Sequence, residues 1–103
     1  MATRICALDD LVDGGAAKFE IEDRILAVVR LGDDVYAIGD TCSHGNFSLS
    51  EGVVDDDECT LECPKHGSAF SLRTGDALTL PAVRGVPHYD VSVIDGQVEV
   101  TLS

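Results

Sequence analysis

The sequence predicts an all-β protein, an antiparallel sandwich or small barrel, and three features predict it. Short stretches of strand length either alternate apolar with polar residues or run continuously apolar. Turn residues recur between them, among them Asp95-Gly96, a strong two-residue hairpin signal because both positions tolerate positive φ. Sustained helical periodicity is missing from every window, and Gly, Pro and Asp recur too often for a long helix. Several short strands at this spacing suit a sandwich or small barrel.

The elements follow in order. Cys6 falls in an early strand. Residues 18–22 alternate, placing Phe19 and Ile21 on one face of a second strand. Glu22-Asp23-Arg24 reverses the chain into residues 25–31, a nearly continuous apolar run broken only by Arg30, as expected of a strand covered on both sides. Gly32-Asp33-Asp34 turns it again into Val35-Tyr36-Ala37-Ile38. At the far end, residues 89–94 and 97–102 flank Asp95-Gly96. Phe19, Tyr36 and Tyr89 sit at strand positions and suit core or rim packing.

Between Gly39 and about residue 82 the chain is irregular and holds three of the four cysteines. A loop-rich segment of that length inside a compact domain is functional or disordered, and its content decides for function. Asp55-Asp56-Asp57-Glu58 reads as a solvated loop, with partner docking as the alternative. Cys59 belongs to the strand entering the second motif described below. Cys6 and Cys59 read as buried small hydrophobes, and His88 as a surface or half-buried residue without a cysteine companion.

Length and charge bound the function. With 103 residues there is room for one domain, and 45% apolar residues supply a core without metal or disulfide staples. Against 19 acidic residues stand 7 basic ones, a net charge of −12. That excludes ordinary nucleic-acid backbone binding and disfavours an anionic membrane. It favours a basic protein partner met by electrostatic steering, and a role in solubility alone is the alternative. No apolar run approaches the roughly 20 residues of a membrane span, and the start lacks the order of a secretory signal. The chain therefore reads as cytoplasmic, where thiols are more often ligands or plain hydrophobes than disulfides.

The chemistry lies in Cys42-Ser43-His44-Gly45 and Cys63-Pro64-Lys65-His66-Gly67-Ser68, a C-x-H pair and a C-x-x-H pair with residues 45–62 between them. Two thiolates and two imidazoles on two glycine-bearing loops can close around one inorganic centre. The glycine after each His permits a turn and lets backbone N–H groups approach sulfur, while Pro64 restricts its loop and removes a donor. Tetrahedral zinc also takes two Cys and two His, so spacing alone leaves it open. A Cys–His nucleophile would not explain a second Cys–His pair.

The pattern resembles the Rieske [2Fe–2S] signature, in which two Cys hold one iron and two His the other. It is similar above all to the small Rieske-type ferredoxins of bacteria, the electron carriers of ring-hydroxylating dioxygenases. The resemblance extends along residues 1–103 as a single domain and includes Ser48-Leu49-Ser50-Glu51-Gly52, Leu72-Arg73-Thr74-Gly75 and Leu80-Pro81-Ala82, the last matching a proline loop that covers the cluster. It implies a Rieske-type antiparallel β-sandwich with base residues 1–41 and 83–103, and the cluster-binding loops within about 40–82. Cys42 and Cys63 would hold the inner iron of one [2Fe–2S] cluster, and His44 and His66 the outer iron. The chain would take one electron from a ferredoxin reductase, a flavoprotein, and pass it to a terminal oxygenase or other redox enzyme, turning over nothing alone.

Mixed ligation leaves the oxidised centre neutral and the reduced one singly negative, so it accepts an electron more readily than an all-cysteine cluster. High-potential relatives carry an extra Cys in each loop, joined as a disulfide; here those positions are Phe47 and Lys65. Ser68 stands where they hydrogen-bond a bridging sulfide, and Phe70 where they use a Tyr hydroxyl. Fewer donors to sulfur, together with the acidic surface, imply a potential toward the low end of the Rieske range, about −150 mV. The alternative is a structural or assembly-related accessory protein of Rieske fold, binding zinc or sensing a cluster. The glycines, Pro64 and the Leu80-Pro81-Ala82 loop weigh against zinc.

Overall fold

The computed structural model describes residues 2–41, 47–64, 67–79 and 84–102. Among them are nine strands: β1 (Ala2–Ala7), β2 (Ala16–Ile21), β3 (Arg24–Leu31), β4 (Asp34–Gly39), β5 (Val53–Asp55), β6 (Thr60–Glu62), β7 (Ala69–Ser71), β8 (His88–Ile94) and β9 (Gln97–Thr101). Six form one sheet in the order β1-β9-β8-β4-β3-β2, and β5-β6-β7 form a second. The expected antiparallel all-β architecture is therefore present, with the two chain ends building the large sheet around the inserted segment.

Three two-residue turns set the register of the large sheet. Ile21 faces Arg24, Leu31 faces Asp34 and Ile94 faces Gln97. Asp95 and Gly96 both take positive φ (52° and 74°), and so do Glu22 and Asp23 (50° and 68°). Positive φ at both central residues matches the twist of the flanking strands. The first of these turns accomplishes it with two acidic side chains and no glycine.

Strand β3 organises both cores. Leu26 and Val28 pack with Val35, Ala37, Val98 and Val100 on one face. Ala27 and Val29 pack with Ile38, Leu49, Leu61 and Phe70 on the other. All four β3 residues are fully buried, which is why the strand reads as a continuous apolar run rather than an alternating one. Burying each larger side chain contributes about 1.5–3 kcal/mol. Phe19, Ile21 and Tyr89 line the first cluster and Tyr36 the second, all partly buried.

Residues 53–71 differ from the expected irregular loop, for they form the second sheet. Val54, Leu61 and Phe70 are directly cross-strand and face inward. Val53, Glu62 and Ala69 form the adjacent row, which faces outward. Each strand is three residues long and carries one inward apolar residue, too little for alternation to show in sequence. Cys59 is buried as expected, but it lies in the turn before β6 with φ 55°, not in the strand. Asp55 shapes the start of that turn: its Oδ1 accepts the N–H groups of Asp57 and Glu58 at 3.1 and 3.2 Å. Asp55 through Glu58 are exposed, as a solvated loop requires. Cys6 is half-buried rather than buried, because β1 is an edge strand. His88 is exposed.

Candidate metal centre

The second motif begins where β6 ends. Glu62 and Ala69 are the last cross-strand pair of β6 and β7, so residues 63–68 form the loop of that hairpin. The Cys63 amide donates to the Ser68 carbonyl at 2.7 Å, and the Gly67 amide donates to the Cys63 carbonyl at 3.1 Å. Gly67 takes φ +75° to make that return. Cys63 is 1% exposed and Ser68 fully buried. Cys63 shares its apolar surroundings with Leu49, Phe70, Leu72 and Val86.

The described residues flanking the first motif are also tied to one another. Thr41 and Ser48 form an antiparallel bridge, and the Leu49 amide donates to the Asp40 carbonyl at 2.6 Å. The Asp40 carboxylate, on a residue 2% exposed, accepts the Ser48 hydroxyl at 2.5 Å and the Ser50 amide at 2.8 Å. The Lys18 ammonium stands 4.0 Å away. A buried carboxylate held by two donors and an ammonium keeps its hydrogen bonding satisfied. Leu49 and Phe47, which follow the first motif, belong to the same apolar cluster as Cys63.

Two glycines permit the close packing behind these loops. A Cβ on Gly52 would lie 1.8 Å from the Glu62 carbonyl oxygen, so the first motif's exit runs directly over the strand leading to Cys63. At Gly75, φ is +82° and a Cβ would meet the Val86 carbonyl oxygen at 2.2 Å. The Thr79 hydroxyl accepts the Ala69 amide at 2.8 Å and donates to the Gly67 carbonyl at 3.5 Å. The segment leading to residue 80 is thereby fastened to the Cys63 loop.

Of the four expected ligands, the structure places Cys63, buried and with a free thiol. Cys42, His44 and His66 lie outside the described residues, as do Lys65 and Leu80-Pro81-Ala82. The described surroundings fit a [2Fe–2S] cluster. The donor is a soft sulfur on a loop tied across its base, screened from water, with glycine rather than a bulkier residue at the return. Phe70 is fully buried in the same cluster as Cys63. Asp40 and Thr79 were missed by sequence reasoning. The signal available for Asp40 was an acidic residue between an apolar strand and a Cys-x-His motif, with Ser-x-Ser after it.

A β-sandwich that lifts a second small sheet, with a buried cysteine at the base of its tied hairpin loop, is the framework of a metal-centre domain, and the comparisons with known proteins name its kind. Residues 1–98 match the family model for the Rieske [2Fe–2S] domain. The chain is 44% identical over 99 residues to the 3-phenylpropionate/cinnamic acid dioxygenase ferredoxin subunit of Photorhabdus laumondii subsp. laumondii, a match covering 96% of this chain and 92% of that protein. Among solved structures, it resembles the ferredoxin of carbazole 1,9a-dioxygenase from Nocardioides aromaticivorans IC177 with a TM-score of 0.96 at 37% identity, over 100% of this chain and 99% of that one. A chain in the complex of reduced oxygenase and oxidized ferredoxin in carbazole 1,9a-dioxygenase matches with a TM-score of 0.87 at 39% identity, over 97% of this chain and 92% of that one.

The chain thus belongs to the Rieske [2Fe–2S] domain family. It is a Rieske-type ferredoxin, a one-electron carrier with one cluster per chain, and it serves an oxidoreductase system without being catalytic alone. No helix among the described residues is long and apolar enough to cross a membrane.

Proposed function

We propose that Cys42 and Cys63 hold one iron of the cluster and His44 and His66 the other, and that the chain carries electrons from a ferredoxin reductase to the terminal oxygenase of a ring-hydroxylating dioxygenase. The observation that carries the reading is the placement of Cys63, a buried free thiol at the base of a hairpin loop tied by its own backbone and sharing its core with Val54 of β5 and with Phe47 and Leu49, which follow the first motif. When bound, the cluster supplies a one-electron couple whose potential is raised by imidazole ligation.

The chain's own residues bind and steer. Cys63 and its apolar neighbours keep water from the inner side of the site. The net charge of −12 draws a basic partner surface toward the molecule and aligns it before contact. The partners follow from the relatives, which are named as ferredoxin subunits of dioxygenases, one of them in complex with its oxygenase. In this reading the chain works in the cytoplasm, with residues 1–103 acting as a single domain.

The test is reconstitution. Substrate oxidation by a purified reductase and oxygenase should require this chain and stop when it is omitted. His66→Cys should retain a cluster of lower potential and abolish support of the oxygenase. Unchanged voltammetry in that variant rejects His66 as a ligand, and a colourless protein containing zinc but no iron or labile sulfide rejects the whole reading.

A further inference from the structure

We propose that Asp40 is a positioning residue for the cluster: its buried carboxylate clasps the loop of Cys42 and His44 shut and places a fixed negative charge beside the site. The proposal rests on the ligand assignment above. Asp40 is the last described residue but one before that loop, and it is stitched to its surroundings from both ends. Its amide donates to the Ile25 carbonyl on β3 at 2.9 Å, and its carbonyl accepts the Leu49 amide. Its two carboxylate oxygens take the Ser48 hydroxyl and the Ser50 amide separately, one each. Ser48 and Ser50 are the residues to which the chain returns after the loop, and their hydroxyls lie 2.9 Å apart. One side chain thus spans the entry and exit of the loop.

A loop held at both ends loses less conformational freedom when its side chains are drawn onto a metal. Groups that orient ligands without touching the metal change metal affinity about 10- to 100-fold when removed. The charge has a separate consequence. Asp40 lies two residues from Cys42 in sequence and is itself shielded from solvent, so its charge is weakly screened and opposes the arrival of an electron nearby. Lys18, half-exposed at 4.0 Å, offsets the charge only in part.

The experiment uses the cluster-loaded protein at one pH near neutrality. Cluster loss to a chelator is followed by visible absorbance in wild type, Asp40→Asn, Ser48→Ala and a core control, Val100→Ala, which packs in the other apolar cluster. Asp40→Asn and Ser48→Ala should release the cluster about 10- to 100-fold faster than wild type, and faster than Val100→Ala at an equal loss of thermal stability. Voltammetry should show a higher potential in Asp40→Asn and a lower one in Lys18→Met. Release that merely follows thermal stability, or a potential in Asp40→Asn at or below the wild-type value, overturns the proposal. If Asp40→Asn does not fold, Ser48→Ala release and the Lys18→Met potential decide it in the same way. A wild-type protein with no Rieske-type signal would instead sink the ligand assignment, so the two failures are distinguishable.

Discussion

The Cys63 amide donates to the Ser68 carbonyl at 2.7 Å, and both residues are buried. This one bond closes the hairpin loop at the point where β6 and β7 part, so the thiol is presented from a closed ring of backbone and not from a free loop. Cys59, four residues earlier, is equally buried but sits in the preceding turn, its carbonyl accepting the Leu72 amide at 2.9 Å. The two cysteines share one apolar cluster and differ in what the backbone around them is built to do.

That difference predicts opposite outcomes for the same substitution. Cys63→Ser should abolish the visible spectrum of the purified protein. Cys59→Ser should leave the spectrum intact, with a stability loss on the order of 1 kcal/mol. A spectrum lost in Cys59→Ser would overturn the assignment of Cys63.

The close approaches behind the loops predict an order among glycine substitutions. Gly96→Ala has an open site at positive φ and should cost about 1 kcal/mol. Gly75→Ala adds a backbone collision with Val86 to the same conformational strain and should cost about 3 kcal/mol or more. Gly52→Ala, with its Cβ driven into the Glu62 carbonyl, should be at least as severe. Urea denaturation of the three variants measures the order, and equal midpoints would contradict it.

Phe70 offers a direct test of potential tuning. It is fully buried in the cluster that holds Cys63. Phe70→Tyr introduces a hydroxyl on that side of the site and should raise the reduction potential from its expected value of about −150 mV. An unchanged potential together with a stability loss of about 1–3 kcal/mol would mean the hydroxyl is buried without a partner and the sulfur is out of its reach.

Tyr36 predicts a pH dependence. Burial pushes its phenol above the usual value, the Cys59 side chain adds to the rise and Arg73 opposes it. The folded protein therefore holds this proton more tightly than the unfolded chain. The resulting stabilisation is complete below the unfolded value of about 10, and it is lost as pH rises through the folded one. Denaturation midpoints of wild type should fall more steeply than those of Tyr36→Phe once the pH rises above about 10. Parallel profiles would contradict the assignment.

The large sheet was legible because its signals are local. Asp95-Gly96 names its own turn, and the unbroken apolar run of β3 follows from burial on both faces. The small sheet was not, since β5, β6 and β7 each carry a single inward side chain, Val54, Leu61 or Phe70, and become strands only by pairing with one another. The spacing to His66 singled out Cys63, and the structure places it buried at the base of the β6–β7 loop. Asp40 was hidden for the opposite reason: its partners Ser48 and Ser50 lie across a loop, and the clasp exists only once the loop has closed. Thr79 joins Gly67 and Ala69 through tertiary contact alone, which no motif announces.

Electron paramagnetic resonance of the dithionite-reduced protein tests the central claim most directly, because metal and ligand set are read together. A diiron centre held by two cysteines and two histidines gives an average g value below that of an all-cysteine cluster, and this is the expected signal, present in wild type and absent from Cys63→Ser. A spectrum with the all-cysteine average, or a reduced protein with no signal at all, would contradict it.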